Sequence, residues 1–350
     1  MQRGSLLIAL GLVLAVPGSA RQPDALSPLF APELGKARAA LLIVDGRVTA
    51  KRYAPGYSDK NRFISWSMAK SVTALLVGEL VADGRLRLDA PAPMAEWQDD
   101  ERRSITLRHL LHMSSGLRHI EVGQPVENSD TNQVLFVTGT ASTAVRAIDR
   151  PLASTPGTRF NYDSLTSIIL AEIITRALTD SRDPRVRAQA YRDFANERLF
   201  RPAGVSSAFL EFDGAGTQVG GSIIHMSLDD WGRMGRLLLD GRGADGAQVI
   251  APDWLAFLKT PAPTKPSYGG HVWHSANGLT SMRGHLGQFV FVGQKGGRSV
   301  ILVRLGKTQD DVIEPVQSEM ERMAGDLLSW ARPIRKTQSL SPSGLRKKAA

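Results

Sequence analysis

Two β-prone runs, Ala40 to Val44 and Arg47 to Tyr53, flank Asp45-Gly46, which predicts a hairpin. Ser67 to Ala82 is rich in helix formers and stops at Asp83-Gly84. Ile105 to Leu111 reads as a short helix ended by Ser115-Gly116. Ser164 to Leu178 reads as a longer one, with Ile168, Ile169, Ile173 and Ile174 on a broad apolar face. Ser227 opens a further helix, with Asp230 completing a capping box and Gly241 past its end. Strand-like runs then return at Gly270 to Ser275, Leu286 to Val292 and Ser299 to Leu305, and Ile313 to Trp330 closes the pattern as an amphipathic helix. Strands at both ends and helices between predict an α+β fold. One antiparallel sheet is built from both chain ends and flanked by helices, with a mostly helical subdomain inserted at about 90–265. Asp180 to Ala190 reads as a surface insertion, and Gly214 to Gly220 as a flexible loop whose glycine spacing does not fit a dinucleotide site.

The termini read differently from the body. Arg3, the apolar run Leu6 to Val16 and the small residues up to Ala20 have the form of a signal peptide cut after Ala20, which implies a periplasmic or secreted protein with no membrane span after cleavage. Residues 21–38 read as an N-terminal extension, 39–330 as the main domain and 331–350 as a basic, disordered tail. The formal charge of +9 comes mostly from the ends: Arg3 and six basic residues beyond Ala331 account for seven of it, which leaves +2 for residues 21–330. The body therefore has no basic face for nucleic acid. With no cysteine among 350 residues, disulfides, thiolate metal sites and a cysteine nucleophile are excluded. The pairs His109/His112 and His271/His274 lack a nearby acidic third ligand, so no metal or cofactor is expected.

The chemistry is concentrated in the helix from Ser67. Met68, Val72, Leu75, Leu76, Val77, Leu80 and Val81 wrap most of its circumference, which marks it as buried. Ser67, Lys70, Ser71 and Ala74 form a small, polar stripe at i, i+3, i+4 and i+7, a stripe suited to facing a cavity. Burial lowers a lysine's affinity for its proton, and an amine one turn from a hydroxyl can help take the hydroxyl proton. Ser67 at a helix start also carries an unpaired N–H, half of an oxyanion hole. By itself S-x-x-K reads better as a capping serine with a lysine reaching for solvent.

The words around it decide the matter. Trp66-Ser67-Met68-Ala69-Lys70-Ser71 is followed by Ile105 to Gly116, then by Pro156-Gly157 through Tyr162-Asp163-Ser164, then by Gly284-His285-Leu286-Gly287-Gln288. This series resembles the serine β-lactamase-like superfamily, which includes class C β-lactamases, penicillin-recognising carboxypeptidases and related esterases. Its nearest likeness is to the 6-aminohexanoate-dimer (nylon-oligomer) hydrolase branch, over about Ala39 to Leu305. The resemblance implies a serine hydrolase working through an acyl-enzyme. Ser67 is then the nucleophile, Lys70 and Tyr162 are proton-transfer groups, and Tyr162 has its pKa lowered by the lysine. It also implies that His285-Leu286-Gly287 stands for the third motif, with the Gly287 site open for access and the Gln288 N–H completing the oxyanion hole. Ser164 takes the place of the usual asparagine, and Trp66 lines an acyl pocket.

The altered second and third motifs favour esters, small amides or D-amino-acid peptides over efficient β-lactam hydrolysis. The alternatives are a D-Ala-D-Ala carboxypeptidase or β-lactamase on the same fold, and a non-catalytic module binding cell-wall peptides. The expected partner is a small molecule or short peptide. Its choice is set by Glu121 to Val137 and the 212–221 loop.

Overall fold

Asp45 and Gly46 both adopt positive φ (51° and 75°), the conformation that a tight two-residue hairpin requires. They join β1 (Lys36–Val44) to β2 (Arg47–Tyr53). The protein is represented by a computed structural model that describes residues 24–137 and 139–329. The expected signal peptide and tail lie outside the described residues. Two short strands, β3 (Phe63–Ile64) and β4 (Phe209–Leu210), pair with β5 (Ile224–Met226) in a small second sheet. The C-terminal strands are β6 (Trp273–His274), β7 (Thr280–Gly284), β8 (Gln288–Lys295) and β9 (Arg298–Lys307). The large sheet runs β2-β1-β9-β8-β7-β6 and is antiparallel throughout. It is therefore built from both ends of the chain, as the sequence predicts.

The main helices are α1 (Met68–Ala82), α2 (Leu107–Leu111), α3 (Thr143–Ile148), α4 (Ser164–Leu178), α5 (Pro184–Ala195), α6 (Leu228–Asp240), α7 (Pro252–Lys259) and α8 (Ile313–Ser329). Side chains alternate across the sheet, so its two faces hold two cores. Leu41, Met282, Val290, Ile301 and Val303 face α1 and α6. Leu42, Phe291, Val300 and Leu302 face α8 and the N-terminal Leu26 and Leu29. Among the described residues no helix is long and apolar enough to cross a membrane.

Four local expectations are refined. Asp180 to Ala190 lies at the surface, with only Ala188 buried, and most of it belongs to a regular helix that packs further along. Asp183 caps and Pro184 opens α5, which buries Ala188, Tyr191, Phe194 and Ala195. The 214–220 segment is not a loose loop, because Thr217 and Gln218 are fully buried and the Asp213 carboxylate accepts from the Ala215 and Thr217 N–H groups. The strand expected over Gly270 to Ser275 shrinks to two residues. His271 sits at φ 62°, with its ring nitrogens held by Leu111 O and Ser167 Oγ. The capping box at α6 is half formed: Ser227 Oγ accepts from the Asp230 N–H, but the Asp230 carboxylate accepts from Ser206, Ser207 and Arg233 instead of returning to Ser227.

Leu76 lies on the buried helix α1, whereas Val48 on the edge strand β2 is 60% exposed. Leu76→Ala is expected to lower stability by about 2–5 kcal/mol in urea unfolding. Val48→Ala should stay within about 0.5 kcal/mol of the parent. Equal effects at the two sites would contradict this placement of the core.

Candidate active site

Ser67 precedes α1, and its hydroxyl is not spent on capping the helix. The ladder begins with Met68 N–H donating to Ser65 O, so the Ser67 N–H lies ahead of it. One turn on, Lys70 is only 1% exposed. Its Nζ has three oxygen partners, Ser67 Oγ at 2.9 Å, Ser164 Oγ at 2.8 Å and the Gly221 carbonyl at 2.8 Å. Burial is the largest influence on this amine and holds its pKa below the ordinary 10.5, against the opposing pull of Glu121 and Asp163. The third partner comes from the segment expected to be a flexible loop. Gly221 is a glycine because a Cβ there would collide with the Ser164 carbonyl.

Tyr162, Asp163 and Ser164 occupy the start of α4. Asp163 is its N-cap, with Oδ1 accepting from the Thr166 N–H at 2.6 Å. The same carboxylate lies 2.9 Å from His119 Nδ1, and both groups are buried. These anchors fix the backbone on either side of Tyr162. Ser67 is near enough to the phenol to draw its pKa down, and Lys70 Nζ stands 5.0 Å from its ring centre. Ser67, Lys70, Tyr162 and Ser164 therefore meet in one place. The expected direction of the Tyr162 pKa is reversed, however. Burial pushes it above 10, Glu121 and Asp163 add to the rise, and Ser67 only partly offsets them. Tyr162 is a protonated phenol at neutral pH, a donor at rest.

The third motif is displaced from its expected position. His285, Leu286 (φ 60°) and Gly287 (φ 77°) form the turn between β7 and β8 instead of starting a strand. A Cβ at Gly287 would press on Arg304 and Thr308. The Gln288 side-chain amide bridges the backbone of Gly306, through Nε2 to O at 2.7 Å and N to Oε1 at 3.0 Å. The strand end that abuts the backbone just before Ser67 is Gly284, where a Cβ would collide with Ser65 O. Next to it, the half-exposed His285 ring stands edge-on to Trp66 at 5.5 Å. The glycine that lets a β-strand lie directly against the backbone before Ser67 is thus Gly284, three residues before the predicted Gly287. Trp66 itself is held at φ 44°, a costly conformation for an aromatic residue and one found at functional sites.

The sequence reading gave no role to three neighbours. Glu121 Oε2 accepts from the Ser164 N–H at 2.6 Å, and its Oε1 from Ser164 Oγ at 2.9 Å. The Arg283 guanidinium packs 5.3 Å over Trp273, whose ring centre is 5.4 Å from that of Tyr162. His119 clamps Asp163 from behind. An N-cap aspartate directly after Tyr162 was a usable signal for the last contact, whereas nothing in the local sequence marks the other two. The histidine pairs point apart: His109 Nδ1 accepts from the Thr106 N–H, His112 stacks on Phe257, and His271 is held as described. The arrangement offers a hydroxyl hydrogen-bonded to an amine, with a phenol ring beside them and backbone N–H groups at hand, the components of acyl transfer.

Known proteins share this fold. The described fold is similar to a protein from Bacillus anthracis provisionally described as a 6-aminohexanoate-dimer hydrolase (TM-score 0.70, 20% identity, 85% of this chain and 81% of that one). It is similar also to a structure from Bacteroides dorei given as a β-lactamase (0.66, 18%, 86% and 97%). A penicillin-binding protein from Bacillus halodurans matches at 0.64, with 16% identity over 85% and 98%. At these identities the likeness establishes the antiparallel sheet with its flanking helices. The sequence model of the Beta-lactamase family matches residues 34–310, and the chain belongs to that family of serine hydrolases.

Proposed function

We propose that this protein hydrolyses an ester or a small amide through a covalent acyl-serine at Ser67. One observation carries the reading: a buried amine, Lys70 Nζ, lies 2.9 Å from Ser67 Oγ and 5.0 Å from the centre of the Tyr162 ring. Lys70 in its neutral form takes the Ser67 proton as Oγ bonds to the carbonyl carbon. The developing oxyanion is held by the Ser67 N–H, with a second donor from the backbone at the Gly284–His285 strand end, in place of Gln288. As the carbon–leaving-group bond breaks, Tyr162 gives its proton to the leaving atom and regains one from Lys70. Water then enters, passes its proton back along the same route and releases the acid.

Esters and linear amides suit the site better than β-lactams. Ser164 replaces an amide side chain and is bonded to Lys70 and Glu121, and no lysine stands in the third motif. The 6-aminohexanoate-dimer description attached to one similar fold fits the same substrate range. We also propose cleavage after Ala20 and export, on the form of the leader alone.

A fluorophosphonate should label Ser67, located by peptide mapping, and Ser67→Ala should abolish nitrophenyl-ester turnover. Full turnover by Ser67→Ala would overturn the proposal. Steady nitrocefin hydrolysis at a rate matching the ester would shift the substrate class to β-lactams.

Two further outcomes concern the proton. Tyr162→Phe should cost about 10²–10⁴-fold in kcat. Lys70→Arg, which cannot be deprotonated, should cost about 10³-fold or more. Because the working amine is the neutral form, kcat/KM should rise with pH as Lys70 loses its proton, at a midpoint below 10.5. A profile still climbing beyond 10.5 would remove Lys70 from that role.

A further inference from the structure

We propose that Glu121 is a positioning residue that sets the direction of the hydrogen-bond chain Glu121–Ser164–Lys70 and so reserves one face of the Lys70 amine for Ser67. The inference rests on the serine-hydrolase reading above and goes beyond it. A carboxylate can only accept. Glu121 accepts from the Ser164 N–H (2.6 Å), from Ser164 Oγ (2.9 Å) and from Thr131 Oγ1 (2.5 Å). The one hydroxyl hydrogen of Ser164 is therefore spent on Glu121, and Ser164 Oγ must accept from Lys70 at 2.8 Å. The Gly221 carbonyl also only accepts. A neutral amine has two hydrogens and one lone pair. With both hydrogens assigned to Ser164 and Gly221, the lone pair is left facing Ser67 Oγ. Protonation places the third hydrogen at the same spot, so the proton is received and returned along one line.

The segment that carries Glu121 is built to keep it there. Asp130 is buried and accepts from the Ile120 N–H at 3.0 Å, from Arg146 at 2.8 Å and from Arg150. Ser129 Oγ donates to the Glu121 carbonyl at 2.6 Å. Three donors on the Glu121 carboxylate fix its orientation toward Ser164.

Glu121→Gln puts an amide in the same space. Its oxygen can take the Ser164 N–H, and its NH₂ then donates to Ser164 Oγ. The Ser164 hydroxyl turns over and donates to the Lys70 lone pair, which withdraws the amine from Ser67. The charge is lost as well, while Asp163 at the cap of α4, the His271 ring and Tyr162 still face the amine, with Tyr268 and Arg283 beyond Tyr162.

The test is the rate of fluorophosphonate labelling of the full-length protein across about pH 5–10. Glu121→Gln should lower the plateau by about tenfold or more and move the acid limb to lower pH, because the carboxylate that favours the ammonium is gone. Ser164→Ala keeps that charge, so it should lower the plateau by a similar factor with a smaller displacement of the limb. A Glu121→Gln plateau within about twofold of the parent, or a lower plateau with the limb unmoved, overturns the proposal. The second result would make Glu121 merely a loop anchor. Should Glu121→Gln fail to fold in a thermal melt, the Ser164→Ala plateau decides, and a value within about twofold of the parent overturns it. Absence of labelling in the parent protein refutes the hydrolase reading instead.

Discussion

An amine without water is the constraint around which the rest of this molecule is arranged. Lys70 sits on a helix that is apolar on nearly every side and has lost its hydration, so protein oxygens must replace the solvent. Each of the three comes from a different part of the chain. Ser67 stands one turn earlier, Ser164 at the start of a distant helix, and Gly221 on a buried turn between two short strands. If any of these elements shifts by about an ångström, a buried donor loses its partner, at a cost of about 1–3 kcal/mol. The glycines at 220 and 221 and the aspartate cap at 163 follow from that requirement. They bring backbone and hydroxyl close enough to one nitrogen.

The neighbouring aromatic residues set the shape of what remains. On one side Trp66 meets His285 edge-on. On the other, Tyr162 packs against Trp273 and Tyr268, with Phe160 beyond and Arg283 over Trp273. These rings have few rotatable bonds and hold one another in place, so Tyr162 keeps its direction without a flexible partner. The same packing explains why its phenol is a weak acid here. The apolar surroundings disfavour the phenolate more strongly than Ser67 favours it.

Local signals carried most of the architecture. Asp45-Gly46 marked the first hairpin, and the apolar periodicity from Ser67 and from Ser164 marked α1 and α4 within a residue. Ser67, Lys70, Tyr162 and Ser164 were legible because they sit in short words with a distinctive order. The third motif was misplaced because His285-Leu286-Gly287 has strand-like composition, while its turn is imposed from outside. Leu286 O accepts from Thr308 N and Gly287 O from Arg304, both on or beside β9. Residues 214–220 looked like a loose glycine loop for a related reason. Their burial comes from Glu172 and Arg187, which meet Thr217 and Ala215 from α4 and α5. Glu121 and Arg283 look like ordinary surface charges in sequence, and their importance comes entirely from tertiary neighbours.

The pairing of β1 with β9 ties the first described strand to the last, and β7, which abuts the backbone just before Ser67, belongs to that same late-made region. During synthesis Ser67 and Lys70 emerge early, but the strand end beside them exists only once most of the chain has left the ribosome. Closing such distant pairings is slow relative to local helix formation. Partial polypeptides therefore hold this serine and lysine without the wall that shapes the cleft around them, and the site is assembled late, with the completion of the sheet.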